Sequence, residues 1–200
     1  MSEKATETRL NLSKATVLLL QNNQAELDIL GQVFIGFGVK AIRKCLTPDL
    51  AEKAILSGVL YDLLVVDCDM PDHAGYDFVV RLRRMEQNGN RLAPTLLVSG
   101  HTVPSSIQRA RDCGANFVVA KPLKALVLLE RIYWVSADKR LFLDVPGYAG
   151  PDRRFQSVGP PPGEAGRRPG DDGDVASLAL TPNLTQDEID RFMRAPPRAA

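Results

Sequence analysis

Apolar residues along the chain fall into short Val- and Leu-rich runs, separated by longer stretches in which large apolar side chains recur every three or four positions. The runs are TVLLL at 16–20, VKAIRKCL at 39–46, DLLVV at 62–66, TLLVS at 95–99 and NFVVA at 116–120. Near-continuous hydrophobicity over such short spans marks strands buried on both faces, as in a parallel sheet. Between them, residues 24–36 carry Leu27, Leu30, Val33 and Phe34 on one helical stripe, and further helices are predicted over 48–57, 76–87, 105–113 and 124–136. Thr47 is the predicted N-cap of the second. Strand-helix alternation with right-handed crossovers predicts an α/β fold, a doubly wound five-stranded parallel sheet flanked by five helices. Its functional groups should lie at the carboxyl ends of the strands.

The pattern stops abruptly. From Pro146 to Gly173, 13 of 28 residues are Pro or Gly, a density expected to exclude helices and strands. The organisation expected is therefore an N-terminal arm over 1–14, one folded domain over 15–137, a flexible linker over 138–182, a short amphipathic helix over 183–194 and a disordered end at 195–200. The late helix is encoded by Thr185 and Glu188, which form a capping box, and by Ile189, Phe192 and Met193, which form an apolar stripe.

Composition narrows the function classes. Lys plus Arg at 25 against Asp plus Glu at 24 leaves a net charge of +1, without the basic excess of a dedicated nucleic-acid binder. Neither a second core nor a helix-turn-helix pattern is present to bind DNA. Cys45, Cys68 and Cys113 are too far apart to suggest a zinc site or a disulfide framework, and no apolar run is long enough for a membrane span. A cytoplasmic location is expected.

The strand ends bring a small set of polar residues into view: Gln21, Asn22 and Asn23 after the first, Asp67, Cys68 and Asp69 after the third, Ser99 after the fourth and Lys121 after the fifth. A carboxylate, a hydroxyl and an ammonium on neighbouring strand ends suit a phosphoryl group, with Asp67 as nucleophile and Ser99 and Lys121 binding charged oxygens. Equally, Asp67 and Lys121 would form a structural ion pair, with Ser99 merely ending its strand. Cys68 reads as a redox sensor or as inert packing. His101 reads as a residue at the pocket mouth or as an ordinary loop histidine.

The segment DLLVVDCDMPDHAGYDFVVRLRR resembles the phosphoacceptor segment of CheY-like response-regulator receiver domains, and PTLLVSGH and DCGANFVVAKPL resemble their fourth and fifth strand segments. The resemblance covers about residues 15–137. It implies the flavodoxin-like receiver fold and a non-enzymatic, stand-alone role in two-component phosphorelay signalling. Asp67 would be the phosphoacceptor, Ser99 and Lys121 the phosphate-binding residues, and Lys121-Pro122 a cis peptide. It also implies a histidine kinase or phosphotransfer protein as partner. Two departures stand out. The acidic pair that holds Mg2+ in the family is replaced by Gln21 and Asn22, so Mg2+ would bind weakly or not at all through Asp67 and Asp69. The aromatic expected three residues before Lys121 is Val118, whereas Phe117 points to the opposite face of the strand.

The tail offers two further readings. NLTQDEIDRFM is similar to the N-terminal peptide of flagellar switch proteins, which docks on activated CheY, so Ile189, Phe192 and Met193 are candidate contacts with the chain's own receiver face or another CheY-like receiver. The arginines of YAGPDRRFQ and Arg167-Arg168 either belong to a solvated linker or bind an anionic ligand such as a cyclic dinucleotide. The latter would make the domain a phosphorylation-independent scaffold or ligand-binding module. A haloacid-dehalogenase-like hydrolase using Asp67 is set aside, because DCDMP lacks that family's pattern and no cap insertion follows.

Overall fold

In the computed structural model, which describes residues 11–153 and 183–193, the five apolar runs become strands β1 (Thr16–Leu20), β2 (Ala41–Cys45), β3 (Leu63–Asp67), β4 (Thr95–Ser99) and β5 (Phe117–Ala120). They form one parallel sheet in the order β2-β1-β3-β4-β5. β3 and β4 are buried along their whole length, which explains their unbroken apolar character. β2 lies at an edge and carries the exposed Arg43 and Lys44, charges that discourage further strand pairing. The chain passes from β1 outward to β2 and then back across β1 to β3 and on to β4 and β5, so the crevice at the carboxyl ends of β1 and β3 is the switch point where ligands bind in such sheets.

Helices α1 (Gln24–Gly36), α2 (Pro48–Leu56), α3 (Ala74–Arg83), α4 (Pro104–Asp112) and α5 (Ala125–Ser136) follow the strands in turn. The caps have local causes. Asn23 accepts from the backbone N–H groups of Ala25 and Glu26, and Thr47 accepts from Leu50. α3 starts earlier and ends earlier than the predicted 76–87, because Asp72 and His73 both adopt left-handed backbone conformations that launch it at Ala74. A Cβ on Gly75 would lie 2.0 Å from the carbonyl oxygen of Asp67, so only glycine lets α3 approach the end of β3 this closely. Gly75→Ala should therefore destabilise the fold by about 1–3 kcal/mol, read as a lower urea midpoint with an unchanged slope.

The expectation of a flexible linker from residue 138 onward is corrected for its first part. Strands β6 (Phe142–Val145) and β7 (Tyr148–Pro151) pair antiparallel around Pro146-Gly147. Pro supplies the fixed φ of the first turn position, and Gly147 at φ 85° supplies the left-handed second, so residues that look like breakers build the hairpin turn. β7 is buried throughout, and a Cβ on Gly150 would lie 2.6 Å from Gly114 Cα, so paired glycines bring the hairpin against the start of β5. Arg91 pairs with Asp144, Arg153 pairs with Asp112, and the Arg153 guanidinium stacks 3.9 Å from the Tyr148 ring centre. The rest of the expected linker, 154–182, and the two terminal segments expected at 1–14 and 195–200 lie wholly or largely outside the described residues.

Helix α6 (Gln186–Met193) packs against β5 and α4 of its own chain. Ile189 and Met193 are 0% and 1% exposed, whereas the Phe192 side chain lies outside the described residues. Arg131 of α5 donates from Nε to Asp190 Oδ1 at 3.0 Å and also pairs with Oδ2 through Nη2. The Gln186 amide accepts from Ala120 N at 2.8 Å and donates to Val118 O at 2.9 Å, satisfying the open edge of β5 as a neighbouring strand would. The capping box is present: Thr185 N and Oγ1 both donate to Glu188 Oε2 at 2.8 Å, and Glu188 N donates to Thr185 Oγ1 at 3.4 Å.

Candidate functional site

Asp67 ends β3 with a carboxylate that is only 1% exposed. Lys121, immediately after β5, donates from Nζ to Asp67 Oδ2 at 3.1 Å, and the backbone N–H of Asp69 donates to Asp67 Oδ1 at 2.9 Å. The Lys121-Pro122 peptide is cis, as the resemblance implied. With its amide oriented to satisfy its neighbours, Gln21 Nε2 lies 2.8 Å from Asp67 Oδ2 and 3.3 Å from Glu26 Oε2. The strand ends thus bring together Asp67, Lys121 and Gln21, while Asn22 is exposed.

Burial pushes the Asp67 carboxyl above the usual aspartate range, and the Asp69 N–H and Lys121 only partly offset it. Lys121 behaves oppositely to its burial: desolvation favours the neutral amine, but hydrogen bonds to Glu26 and Asp67 outweigh this and hold its pKa up. Its Nζ lies 2.8 Å from Glu26 Oε2 and 3.8 Å from Asp69 Oδ2. Sequence reasoning missed Glu26. The only signal was position: an acid in the first turn of the helix that follows β1, on the turn that Asn23 caps.

Ser99 ends β4 next to β5, but its hydroxyl is directed to Asp69 rather than to Asp67. Ser99 Oγ stands in donor geometry to Asp69 Oδ1 at 2.8 Å, with His101 O at 3.0 Å as its alternative acceptor, and the backbone N–H of Gly100 donates to Asp69 Oδ2 at 2.5 Å. His101 Nδ1 stands 3.3 Å from Asp69 Oδ1 while 83% of its side chain is exposed, so it borders the mouth of the pocket. Burial alone would raise the pKa of Asp69. The donors from Gly100, Ser99 and His101 outweigh it and hold the carboxylate below its ordinary value.

The two carboxylates expected to hold a metal, Asp67 and Asp69, are both engaged by neighbouring donors. Asp67 Oδ2 already serves Lys121 and Gln21, Asp69 faces the Ser99 loop, and among the described residues no group of three or more His, Cys, Asp or Glu side chains is placed to hold an ion. Cys68 donates from Sγ to Val98 O at 3.2 Å, and burial pushes its thiol up to about 11, which suits packing and not redox sensing. Val118 and Phe117 are both buried, and Phe117 packs on Trp134 with ring centres 5.9 Å apart. Of the tail arginines proposed for an anionic ligand, Arg153 is committed to Asp112 and Tyr148, and the others lie outside the described residues. Among the described residues no helix is long and apolar enough to cross a membrane.

Residues 17–133 match the family described as the response regulator receiver domain. The sensory/regulatory protein RpfC of Xanthomonas campestris is 33% identical over 80 residues, covering 40% of this chain and 11% of that protein. The chain therefore spans only a small part of that relative. Among solved structures, the chemotaxis protein CheY4 of Vibrio cholerae is 21% identical with a TM-score of 0.55, covering 60% of this chain and 98% of that one. The receiver domain of the histidine kinase CKI1 from Arabidopsis thaliana, solved in complex with Mg2+, is 22% identical with a TM-score of 0.54, covering 60% of this chain and 92% of that one. These two likenesses establish the fold.

Proposed function

The chain belongs to the response regulator receiver domain family of two-component signalling, and from that premise we propose that Asp67 is its phosphoacceptor. The observation that carries the reading is the buried Asp67 carboxylate with the Lys121 ammonium 3.1 Å away at the switch point of the sheet. An Asp67 oxygen forms the bond to phosphorus as the P–N bond of a phosphohistidine breaks, with the electron pair leaving on the imidazole nitrogen. Lys121 stands where it can neutralise charge on the transferred group. The phosphohistidine comes from a histidine kinase or phosphotransfer protein, and the protein acts as an acceptor in the cytoplasm rather than as an enzyme. Output runs through protein contacts on the surface formed by α4, β5 and α5, which α6 covers.

Incubation with acetyl phosphate, followed by intact mass, tests this. Wild type should gain one phosphoryl group and Asp67→Asn none; equal gain by both, or none by wild type, sinks the reading.

Binding of Mg2+ is proposed to be weak, because neutral Gln21 and Asn22 replace carboxylates. Restoring charge with Gln21→Asp and Asn22→Asp together should tighten Mg2+ binding measurably by calorimetry. An unchanged affinity would show that these positions do not face the ion.

A further inference from the structure

We propose that Asp69 is the resident anion of this pocket, occupying the place of the phosphoryl group and, through residues 99–102, holding the C-terminal segment on the domain until phosphorylation displaces it. The displacement half rests on the reading of Asp67 as phosphoacceptor; the holding half does not.

Groups at the ends of β4 and β5 converge on the Asp69 carboxylate: Ser99 Oγ at 2.8 Å and Gly100 N at 2.5 Å, with His101 Nδ1 at 3.3 Å and the Lys121 ammonium at 3.8 Å farther out. A hydroxyl, a backbone N–H and an ammonium facing one site make a cradle for an oxyanion. The approach is close enough that a Cβ on Gly100 would stand 3.3 Å from Asp69 Oδ2.

The same short loop holds the tail from its other side. Thr102 N donates to Asn183 Oδ1 at 3.0 Å, Thr102 Oγ1 donates to Leu184 O at 2.9 Å, and Leu184 N donates to Thr102 O at 2.9 Å. Asn183 Nδ2 also donates to Gly100 O at 3.3 Å. Hydrogen bonds and the backbone of residues 99–102 together therefore link the Asp69 carboxylate to the tail, through Gly100 to Asn183 and through Ser99 and Thr102 to Asn183 and Leu184. α6 begins two residues later, at Gln186.

Competition follows from donor arithmetic. A serine hydroxyl and a backbone N–H each carry one proton to donate. A phosphoryl group on Asp67 brings a charge of about −2 beside Asp69 and needs the same donors. Repulsion and loss of those donors together drive the Asp69 carboxylate out. Loop 99–102 then exchanges its Asp69 anchor for the phosphoryl group on Asp67, and the shift of Ser99 and Gly100 toward Asp67 weakens the loop's grip on 183–184 and releases α6 from the α4-β5-α5 face.

Amide hydrogen exchange on the full chain tests both halves. Without any phosphodonor, Asp69→Ala should speed exchange of Leu184 N–H and Ile189 N–H by about tenfold or more, with the amides of β1 and β3 still protected as proof of folding. Asp69→Asn, which keeps the shape and removes the charge, should move in the same direction. Unchanged exchange at Leu184 in both variants overturns the proposal. In wild type, acetyl phosphate should speed the same amides, whereas Asp67→Asn should ignore it but still respond to Asp69→Ala. If wild type gains phosphate and Leu184 keeps its protection, the displacement is wrong. If wild type gains none, the phosphoacceptor reading fails and takes the displacement with it, while faster exchange in the Asp69 variants still supports the holding role.

Discussion

Arg83→Ala should lower the unfolding free energy by about 3–5 kcal/mol, the range for truncating a large, fully buried side chain. Arg83 closes α3 and is 1% exposed. Its guanidinium donates to Gly114 O at 2.9 Å, Arg91 O at 2.5 Å, Ala93 O at 2.8 Å, Thr95 Oγ1 at 3.0 Å and Asn116 Oδ1 at 3.2 Å. One fork thus ties the end of α3 to the segments that enter β4 and β5. Burial lowers its pKa to about 10, which still leaves it charged at neutral pH. Alanine would remove the donor from several buried oxygens at once and leave a cavity behind. Arg83→Lys should fall between the two, since an ammonium cannot reproduce the planar fork. Urea titration of the three proteins decides this, and a loss under 1 kcal/mol for alanine would mean that water or relaxation satisfies those oxygens.

Ile189→Ala should detach α6 while leaving the receiver folded. Truncating a fully buried isoleucine costs about 2–5 kcal/mol, and a single short helix held by two described apolar side chains, one ion pair, the Gln186 contacts and the Thr102 bonds to the two residues before its cap has little stability in reserve. Detachment also frees Arg131 and Asp190 to water together, so no buried charge is left unpaired. The amide signals of α4, β5 and α5 should shift in the direction produced by truncating the chain at residue 182, with the sheet signals in place. Spectra identical to wild type would show that Ile189 does not hold the helix.

The sheet and its helices were legible because each depends on local pattern. β3 and β4 read as unbroken apolar runs since both faces are covered, and α2 announced itself through Thr47 and Pro48. Asp67 and Lys121 were legible from their places at strand ends. What stayed hidden depends on partners far away in sequence. Asp69 binds Ser99 and Gly100, about thirty positions on, and nothing local distinguishes an acid that faces a metal from one that fills an anion cradle. Glu26 reaches Lys121 across the crevice between α1 and β5. The β6-β7 hairpin was lost for a different reason: Pro146-Gly147 is both a breaker and a turn, and only the burial of Tyr148 and Ala149 against the domain decides which. Arg83 carries no mark in the sequence, because a basic residue gives no local sign that five oxygens await it.

The most direct test of the central claim is to locate the acyl phosphate on the chain. After acetyl phosphate treatment, borohydride reduces an aspartyl phosphate to homoserine, and peptide mass spectrometry of the segment containing Asp67, Asp69 and Asp72 shows which aspartate has changed. The account predicts homoserine at position 67 alone. Homoserine at 69 or 72, or an unaltered peptide from a protein whose intact mass shows the phosphoryl group, would contradict it.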